Sequence, residues 1–327
     1  MKKRISTYLA IALTTYCNYQ CFYCKEGGES ISKKKERIPF PKIKQIIDNA
    51  YNNGITNFRI TGGEPTSVPY FSELIEYIMN LSGTKVRINT NGYKILENFN
   101  VLIKYNDRID IVFSVDSISE YLNNVHFQKY LSDDVVTITK KLKENDIAVR
   151  YNIVVTRLNV SEVEKLVLRA VDELNVNVKL LDLNKSSEYL GYNCKVREKE
   201  AFDLWNELFV PMNEFYDFLE QISNGSKSKW TTGLIGKHGI PMSAYFRGKN
   251  WIQVKDSMRV AKYSEFCKTK CPFYKSENCQ EGVFSLFLSS NLTLHLSGCK
   301  NSSIHFDLSN SNDDEIKYAI KQLLNFI

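Results

Sequence analysis

The feature that most constrains the fold is a regular alternation of apolar runs and amphipathic segments over roughly the first 180 residues. Runs such as Ile109-Asp-Ile-Val-Phe113 are almost continuously apolar, as expected for parallel strands that helices cover on their faces. Six such β-α units form either a doubly wound sheet or a partial barrel, and periodicity alone does not separate the two. The six strands are predicted at Tyr8–Tyr16, Ile55–Thr61, Lys85–Thr90, Ile109–Val115, Ile147–Val155 and Val176–Leu183.

The helices between these strands are bounded by start and stop signals. Pro41 begins a helix that is predicted to end near Asn53, and Pro69 begins the next, which is predicted to end before Gly83. Ser161 begins a strongly amphipathic helix. The apolar face of that helix consists of Val163, Leu166, Val167, Ala170, Val171 and Leu174.

The pattern changes after residue 195. A helical stretch from Arg197 to Ser223 is interrupted by Pro211, and residues 225–248 are rich in Gly, Ser and Lys, which favours an irregular loop. The last third contains a predicted hairpin. Leu286 and Leu288 alternate with other residues along its first strand, and the second strand returns towards Cys299. We therefore predict three parts, namely residues 1–195, a helical linker and irregular loop at 196–250, and a cysteine-rich α+β part at 251–327.

Three cysteines follow the first predicted strand at C-x-x-x-C-x-x-C spacing. A loop that leaves a strand and carries Cys17, Cys21 and Cys24 is suited to wrap an iron–sulfur cluster, which proteins hold by cysteine thiolates. Three thiols leave one iron of a four-iron cluster without a protein ligand. The alternatives are three small core residues on one helix face, a zinc site, which would need a fourth ligand, or disulfides, which nothing else in the chain favours.

Three more motifs follow in order and place polar residues at or just past strand ends. The three motifs are Thr61-Gly62-Gly63-Glu64-Pro65, Thr90-Asn91-Gly92 and Ser114-Val115-Asp116-Ser117. Together with the cysteines and Tyr23, these motifs resemble the signature of the radical S-adenosylmethionine (radical SAM) superfamily over roughly the first 180 residues.

The resemblance implies a partial (β/α)6 TIM-like barrel whose site lies at the carboxyl ends of the strands. It also implies a 4Fe–4S cluster on the three cysteines and SAM on the open iron. In that family the reduced cluster splits SAM into methionine and a 5′-deoxyadenosyl radical, which abstracts hydrogen from a substrate; a flavodoxin or ferredoxin-type protein supplies the electron. The implied cofactor-binding residues are Tyr23, Gly62, Gly63, Glu64, Thr90, Asn91, Ser114 and Asn152.

Five further cysteines lie beyond residue 190. Cys267, Cys271, Cys279 and Cys299 crowd into the last third, and their spacing alone fits structural zinc as well as a second iron–sulfur cluster. The hairpin register is expected to return Cys299 near Cys279. The resemblance to the twitch and SPASM subclasses, which carry auxiliary clusters on such hairpins, favours a second 4Fe–4S cluster. Cys194 is isolated, so it is either inert or the hydrogen donor that an epimerase requires.

Composition limits the partners. The net charge of +6 over 327 residues tolerates an anionic substrate but does not predict nucleic-acid binding. No apolar run approaches membrane-spanning length, and the short run Tyr8–Leu13 after the basic start is not a secretory signal. Clustered thiols are typical of a reducing compartment, which predicts a cytoplasmic location.

The overall layout is most similar to the GTP cyclase of molybdenum-cofactor synthesis, but cationic residues of that family are missing. Tyr16 replaces an Arg before the first cysteine, Thr66 follows the GGEP motif in place of Arg, and the strand 283–287 lacks an Arg pair. The chain also ends at Ile327 without a Gly-Gly tail. The favoured functions are therefore maturation of a ribosomal peptide, with recognition by a separate protein, and modification of a sugar, nucleoside or amino acid. A GTP cyclase-like enzyme and a catalytically silent binding protein on the same fold are the alternatives.

Overall fold

A computed structural model describes residues 5–19, 21–24, 36–120, 129–183, 198–230, 240, 242–259, 263–272, 274, 283, 285–297, 299 and 304–327. All strands of these residues belong to one mixed sheet. They are β1 Ile5–Ala12, β2 Ile55–Thr61, β3 Lys85–Thr90, β4 Ile109–Ser114, β5 Ala148–Val155, β6 Asn177–Asp182, β7 Lys227–Trp230, β8 Met242–Arg247, β9 Asn250–Lys255, β10 Leu286–Leu288, β11 Thr293–Leu296 and β12 His305–Asp307.

The strand order separates the two architectures that periodicity leaves open. The order is β12-β11-β10-β1-β2-β3-β4-β5-β6-β9-β8-β7, and every neighbouring pair from β10 to β9 is parallel. Strands β1 to β6 follow one another without the reversal that a doubly wound sheet requires. Contacts across non-adjacent strands indicate that the sheet curls. Arg150 of β5 lies 5.8 Å from the ring of Trp251 on β9 and interacts electrostatically with Arg59 of β2. The predicted partial barrel is thus confirmed.

Helices cover the outer face of the curled sheet. The helix-facing residues of β5 are Val149, Tyr151, Ile153 and Val155, all buried in the main core. No helix in the described part of the chain is long and apolar enough to cross a membrane. The helices are α1 Phe40–Asn52, α2 Phe71–Asn80, α3 Phe99–Lys104, α4 Asp133–Glu144, α5 Val160–Leu168, α6 Glu198–Leu208, α7 Tyr216–Ile222, α8 Glu265–Lys270 and α9 Asp313–Leu324.

The alternate residues of the strands point to the concave side, which we call the inner face. Side chains alternate across a strand, so the residues between the helix-facing ones belong to this face. They are mostly small, polar or cationic, unlike the aliphatic outer face. The inner-face residues include Tyr8, Ala10, Arg59, Arg87, Asn89, Asp110, Ser114, Arg150, Asn152, Trp251 and Phe287.

Two sequence predictions need correction. The first strand ends at Ala12 rather than Tyr16, because after a last bond from Leu13 to β2 the chain pairs with residues 36–38. The predicted irregular loop at 225–248 contains β7 and β8, and the next residues form β9, which adds a parallel strand beside β6. The Gly, Ser and Lys content of residues 225–248 concealed β8, although Met242, Ala244 and Tyr245 of that strand are buried.

The C-terminal hairpin formed by β10 and β11 is confirmed. It is not separate from the barrel, because β10 pairs in parallel with β1, with Leu9 opposite Leu286. This pairing buries all three residues of β10 and explains why they are apolar without alternation. The division into three parts stays a prediction, although strands from all three share the sheet.

Candidate functional site

The loop that carries the first three cysteines begins at the carboxyl end of β1 and is closed at its base. Leu13 still donates to the carbonyl oxygen of Thr61, but Thr15 donates to Glu36 and Ile38 donates back to Leu13, at 2.9 to 3.0 Å. The hydroxyl of Thr14 adds a bond of 2.9 Å to the same Glu36 carbonyl. These bonds fix both ends of the loop at the edge where the GGEP and TNG motifs also lie.

Gly62 and Gly63 are required because the cysteine loop packs directly against them. The backbone N–H of Gly63 donates to Thr14, and that of Glu64 donates to Tyr16, each at 2.7 Å. A Cβ on Gly62 would lie 2.6 Å from the Thr14 oxygen, and a Cβ on Gly63 would overlap the Tyr16 carbonyl. This space was expected to receive the methionine part of SAM, but backbone atoms of the cysteine loop fill it.

The carboxylate of Glu64 joins the GGEP and TNG motifs. It is 1% exposed, and its Oε1 accepts bonds from the hydroxyls of Thr66 and Thr90, both at 2.7 Å, and from the Thr66 N–H at 3.2 Å. Its Oε2 accepts the N–H of Asn91 at 2.8 Å. Burial raises the pKa of Glu64, while these four donors oppose the rise. The contact of Glu64 with the ammonium of SAM stays a prediction. Oε2 accepts only one of these bonds and keeps a lone pair that can accept it.

Asn91 extends this network to the cysteines. Its side-chain Nδ2 donates to Asn18 Oδ1 at 2.8 Å and lies 3.7 Å from Cys17 Sγ, which also accepts the N–H of Tyr19 at 3.4 Å. Donors of this kind favour a thiolate over a thiol. Cys21 is buried, while Cys17 and Cys24 are partly exposed, and the N–H of Cys24 donates to the Cys21 carbonyl at 2.9 Å.

A second network holds the other side of the cysteine loop. The hydroxyl of Tyr23 donates to the buried carboxylate of Asp116, whose other oxygen accepts the N–H of Val154 at 2.9 Å. The Nζ of Lys129 lies 5.9 Å from the Tyr23 ring. The carbonyl of Lys129 accepts the N–H of Ser117 at 3.1 Å, which ties this residue to the carboxyl end of β4.

Lys129 gives the cysteine loop a positive electrostatic environment. Burial raises the pKa of the Cys17 and Cys21 thiols, and the charge of Lys129 opposes that rise more than any other neighbour does. Burial also disfavours the ammonium form of Lys129, but the negative charges of Cys21, Asp116, Cys24 and Cys17 outweigh it and raise its pKa. The thiol pKa values remain raised on balance, and Lys129 is the neighbour that most offsets the cost of forming the thiolate, the form that binds metal.

The donor set fits a four-iron cluster better than a single ion. Among the described residues, no three Cys, His, Asp or Glu side chains are grouped to hold one metal ion. A cubane cluster takes each thiolate on a different iron, so three separated sulfurs on one loop suit it. Cys17, Cys21 and Cys24 would hold the cluster. On the nearby inner face, the buried Oδ1 of Asn152 has no partner among the described residues and is available to a ligand that donates hydrogen bonds.

Residues 11–170 match the family model described as the Radical SAM superfamily. The chain belongs to the radical SAM superfamily. The match includes the cysteine loop, the GGEP and TNG motifs and strands β2 to β5. A radical SAM domain implies a 4Fe–4S cluster and SAM as cofactors, and the networks around Glu64 and Asp116 are the means by which this chain positions their site.

Curated relatives carry a common name. The GTP 3′,8-cyclase of Haemophilus ducreyi is 35% identical over 118 residues, which is 36% of this chain and 34% of that protein. That of Vibrio atlanticus is 27% identical over 188 residues, 55% of each chain. That of Alkaliphilus oremlandii is 27% identical over 250 residues, 74% of this chain and 75% of that protein. The chain thus spans about a third to a half of the first two relatives.

Solved radical SAM structures share the fold. Streptococcus suis SuiB bound to S-adenosylmethionine has a TM-score of 0.61 at 17% identity, over 90% of this chain and 60% of that chain. Native anSMEcpe with bound AdoMet has a TM-score of 0.52 at 15% identity, over 98% of this chain and 82% of that chain. SuiB has also been solved with its precursor peptide SuiA, with a TM-score of 0.50 at 21% identity, over 62% of this chain and 46% of that chain.

The C-terminal cysteines lie in a different place. Because β10 is parallel to β1 and β11 is antiparallel to β10, the chain leaves β11 at the edge opposite to the cysteine loop. Cys299 therefore lies at that edge, on the order of 20 Å from Cys17 at about 3.3 Å per residue of strand. Cys267 is buried beside Ser264, whose hydroxyl is 3.3 Å from its sulfur. Cys279 and Cys194 lie outside the described residues, so the predicted second cluster stays a proposal.

Sequence reasoning placed the motif residues at one edge but missed the residues that support them. Asp116 lies within the SxDS motif, and a carboxylate at the end of an apolar strand was a usable signal. Nothing in the sequence indicated a role for Lys129, because its position relative to the cysteines depends on how the chain returns to the end of β4. Ser114 lies opposite Asn152 in the register of β4 and β5, on the inner face; its predicted contact with SAM stays a prediction.

We expect Gly63→Ala to prevent stable loading of iron and to lower the free energy of unfolding by about 1–3 kcal/mol, because a methyl group displaces the cysteine loop. Iron per chain and urea unfolding would be measured. Gly225→Ala is the matched control: its positive φ strains any side chain, but no atom lies within 4 Å. It should cost about 1 kcal/mol and leave iron loading unchanged. Full loading of Gly63→Ala would contradict the packing role.

We expect Lys129→Met to release iron to a chelator faster than the parent protein, because the thiolates lose their neighbouring positive charge. A loss of about 1 kcal/mol corresponds to roughly a fivefold faster release. Lys94→Met is the control, since Lys94 pairs with Glu97 at 3.3 Å on the exposed side of the site. Equal release rates for parent and Lys129→Met would show that the ammonium does not stabilise the cluster.

Proposed function

We propose that this chain reductively cleaves SAM and uses the 5′-deoxyadenosyl radical to abstract hydrogen from a substrate of a specialised biosynthetic pathway. The observation that carries the proposal is the pair of buried networks that fix the cysteine loop to the GGEP and TNG motifs at one edge. The cluster, when bound, supplies the electron that breaks a carbon–sulfur bond of SAM. The protein's own residues orient SAM and exclude water.

The roles follow from position. Cys17, Cys21 and Cys24 hold the cluster, and Glu64 and Asn91 keep the glycine motif against the loop. Asn152 accepts a hydrogen bond from SAM or substrate on the inner face, with Ser114 beside it. Tyr23, fixed by Asp116, is proposed to contact the adenine. A flavodoxin or ferredoxin-type protein is the proposed electron donor, and a reducing cytoplasm is the compartment in which such a cluster persists.

Two substrate classes are consistent with the fold. The SuiB likeness makes a ribosomal peptide reasonable, with a separate recognition protein for that peptide. The cyclase relatives favour a small molecule, and the pairing of β10 with β1 extends the curled sheet beside the inner face. We place GTP cyclisation itself second, because exposed Tyr16 and the apolar β10 stand where the cyclases carry Arg.

The function is tested by anaerobic incubation of reconstituted protein with SAM and dithionite. We expect 5′-deoxyadenosine from the parent chain and at least a hundredfold less from Cys17→Ala, which removes a cluster ligand. Cys299→Ala, at the opposite edge, is the matched control and should retain uncoupled cleavage. No 5′-deoxyadenosine from a protein with an intact cluster, with candidate substrates added, would favour a silent binding protein on this fold.

Metal analysis tests the proposed second cluster. Two 4Fe–4S clusters give about eight irons per chain, and Cys299→Ala should reduce this number to about four. Structural zinc at the C-terminal cysteines would instead give about four irons together with zinc. Four irons per chain and no zinc, in both the parent and Cys299→Ala, would show that the C-terminal cysteines hold neither a second cluster nor zinc.

A further inference from the structure

Exposed apolar side chains are concentrated beside the cysteine loop. Among the described residues, the large apolar side chains that reach the surface are Tyr16, Tyr93, Leu96, Met258 and Tyr318. The first three, which are 52%, 37% and 47% exposed, come from the cysteine loop and from the segment after the TNG motif. We call Tyr16, Tyr93 and Leu96 the loop patch. Grouped apolar residues on a surface mark a site of interaction more often than single ones do.

Backbone bonds bring the two tyrosines of the loop patch together. The carbonyl of Tyr16 accepts the N–H of Glu64 at 2.7 Å, and the carbonyl of Tyr93 accepts the hydroxyl of Thr66, two residues further along the same segment. The N–H of Tyr93 also donates to Asn91 Oδ1 at 3.0 Å. The patch is therefore fixed by the network that holds the cysteine loop, although its side chains take no part in that network.

The loop patch lies on the outer side of the site. Leu96 begins a short turn, Leu96–Asn98, that continues into α3 of the outer layer, where Val101 and Leu102 are buried in the main core. Tyr16 directly precedes Cys17 in the chain. The patch therefore approaches the cluster ligands from outside the barrel, whereas a substrate is expected on the inner face.

An electron has to enter the protein at this same edge. The proposed function consumes one electron from outside for each SAM that is cleaved. Cys299 lies at the opposite edge, on the order of 20 Å from Cys17 at about 3.3 Å per residue of strand, and electron tunnelling falls steeply with distance. A metal centre at the C-terminal cysteines would thus be a poor direct relay, and the donor must approach the cysteine loop itself.

The size and charge of the loop patch suit a transient redox partner. Electron-transfer complexes have some of the smallest specific interfaces, and tyrosine is enriched in interface cores. Charges around the patch nearly cancel, since Lys94 pairs with Glu97 at 3.3 Å and exposed Arg37 follows Glu36. The net charge of +6 on the whole chain then attracts an acidic partner from a distance.

We propose that the loop patch docks an acidic flavodoxin, with the exposed edge of its flavin against Tyr16 and Tyr93. This inference rests on the proposed function and specifies its electron donor. One electron leaves the flavin hydroquinone and reduces the oxidised cluster, and no bond or proton passes between the two proteins. A flavodoxin fits the patch better than a ferredoxin, because the dimethylbenzene edge of a flavin is apolar and aromatic, as the patch is.

Docking is tested by calorimetric titration of oxidised flavodoxin into the reconstituted full chain, without SAM or reductant. The parent should bind, more weakly as salt is added. Leu96→Glu and Tyr93→Glu should each bind about tenfold more weakly, because a carboxylate replaces an apolar contact and repels an acidic partner. Leu96→Lys loses the contact without the repulsion, so it should bind more tightly than Leu96→Glu. Tyr318→Glu, at a 59% exposed site on α9, is the matched control and should bind as the parent does.

Turnover separates docking from chemistry. Formation of 5′-deoxyadenosine would be measured with flavodoxin, its reductase and NADPH, and in parallel with dithionite. Leu96→Glu should lose about tenfold in kcat/KM for flavodoxin and should match the parent with dithionite. If the parent gives no 5′-deoxyadenosine with either reductant, the proposed function fails, and the titration still decides whether the patch binds flavodoxin.

Several results would overturn the proposal. They are no binding of flavodoxin to the parent, equal binding by the parent, Leu96→Glu and Tyr93→Glu, or the same loss in Tyr318→Glu, which would show a non-specific effect of charge. A loss with dithionite as large as the loss with flavodoxin would make Leu96 structural. Sensitivity of Leu96→Glu to a ferredoxin but not to flavodoxin would assign the patch to a different partner.

Discussion

The buried carboxylate of Glu64 is the contact on which the rest of the site depends. A carboxylate at 1% exposure persists only where donors surround it, and here the donors come from two motifs that follow different strands. The same residue donates its backbone N–H to Tyr16, immediately before the first cysteine. Three segments that are far apart in sequence are thus held together through one residue, and the glycines before it let the cysteine loop approach.

Charge is distributed along the curled sheet in a consistent way. Lys129 faces the cysteine loop at the carboxyl edge, where thiolates and a cluster bring negative charge. Arg59, Arg87 and Arg150 lie deeper on the inner face, and Asp110 pairs there with Arg87 at 2.9 Å. Positive charge therefore occurs at two places along the sheet, and the first of them faces the cluster ligands.

Much of this could be predicted from the sequence. The strands Ile55–Thr61 and Lys85–Thr90 were predicted to the residue, because apolar runs between clear helix signals specify parallel strands. The motifs placed Cys17, Glu64 and Asn91 at one edge. The sequence did not reveal β7 to β9, because short strands without regular alternation are hard to distinguish from a loop, nor the pairing of β10 with β1, which is a long-range contact. Lys129 was missed because it comes near the cysteines only after the sheet curls.

The central claim is that the cysteine loop holds a cluster with one iron left open to SAM. Electron paramagnetic resonance of the dithionite-reduced protein, recorded with and without SAM, tests it most directly, with Cys299→Ala used to remove any contribution from the opposite edge. The account predicts a 4Fe–4S signal whose g-values shift when SAM is added and which is absent from Cys17→Ala. A signal that SAM leaves unchanged, or one that persists in Cys17→Ala, would contradict it.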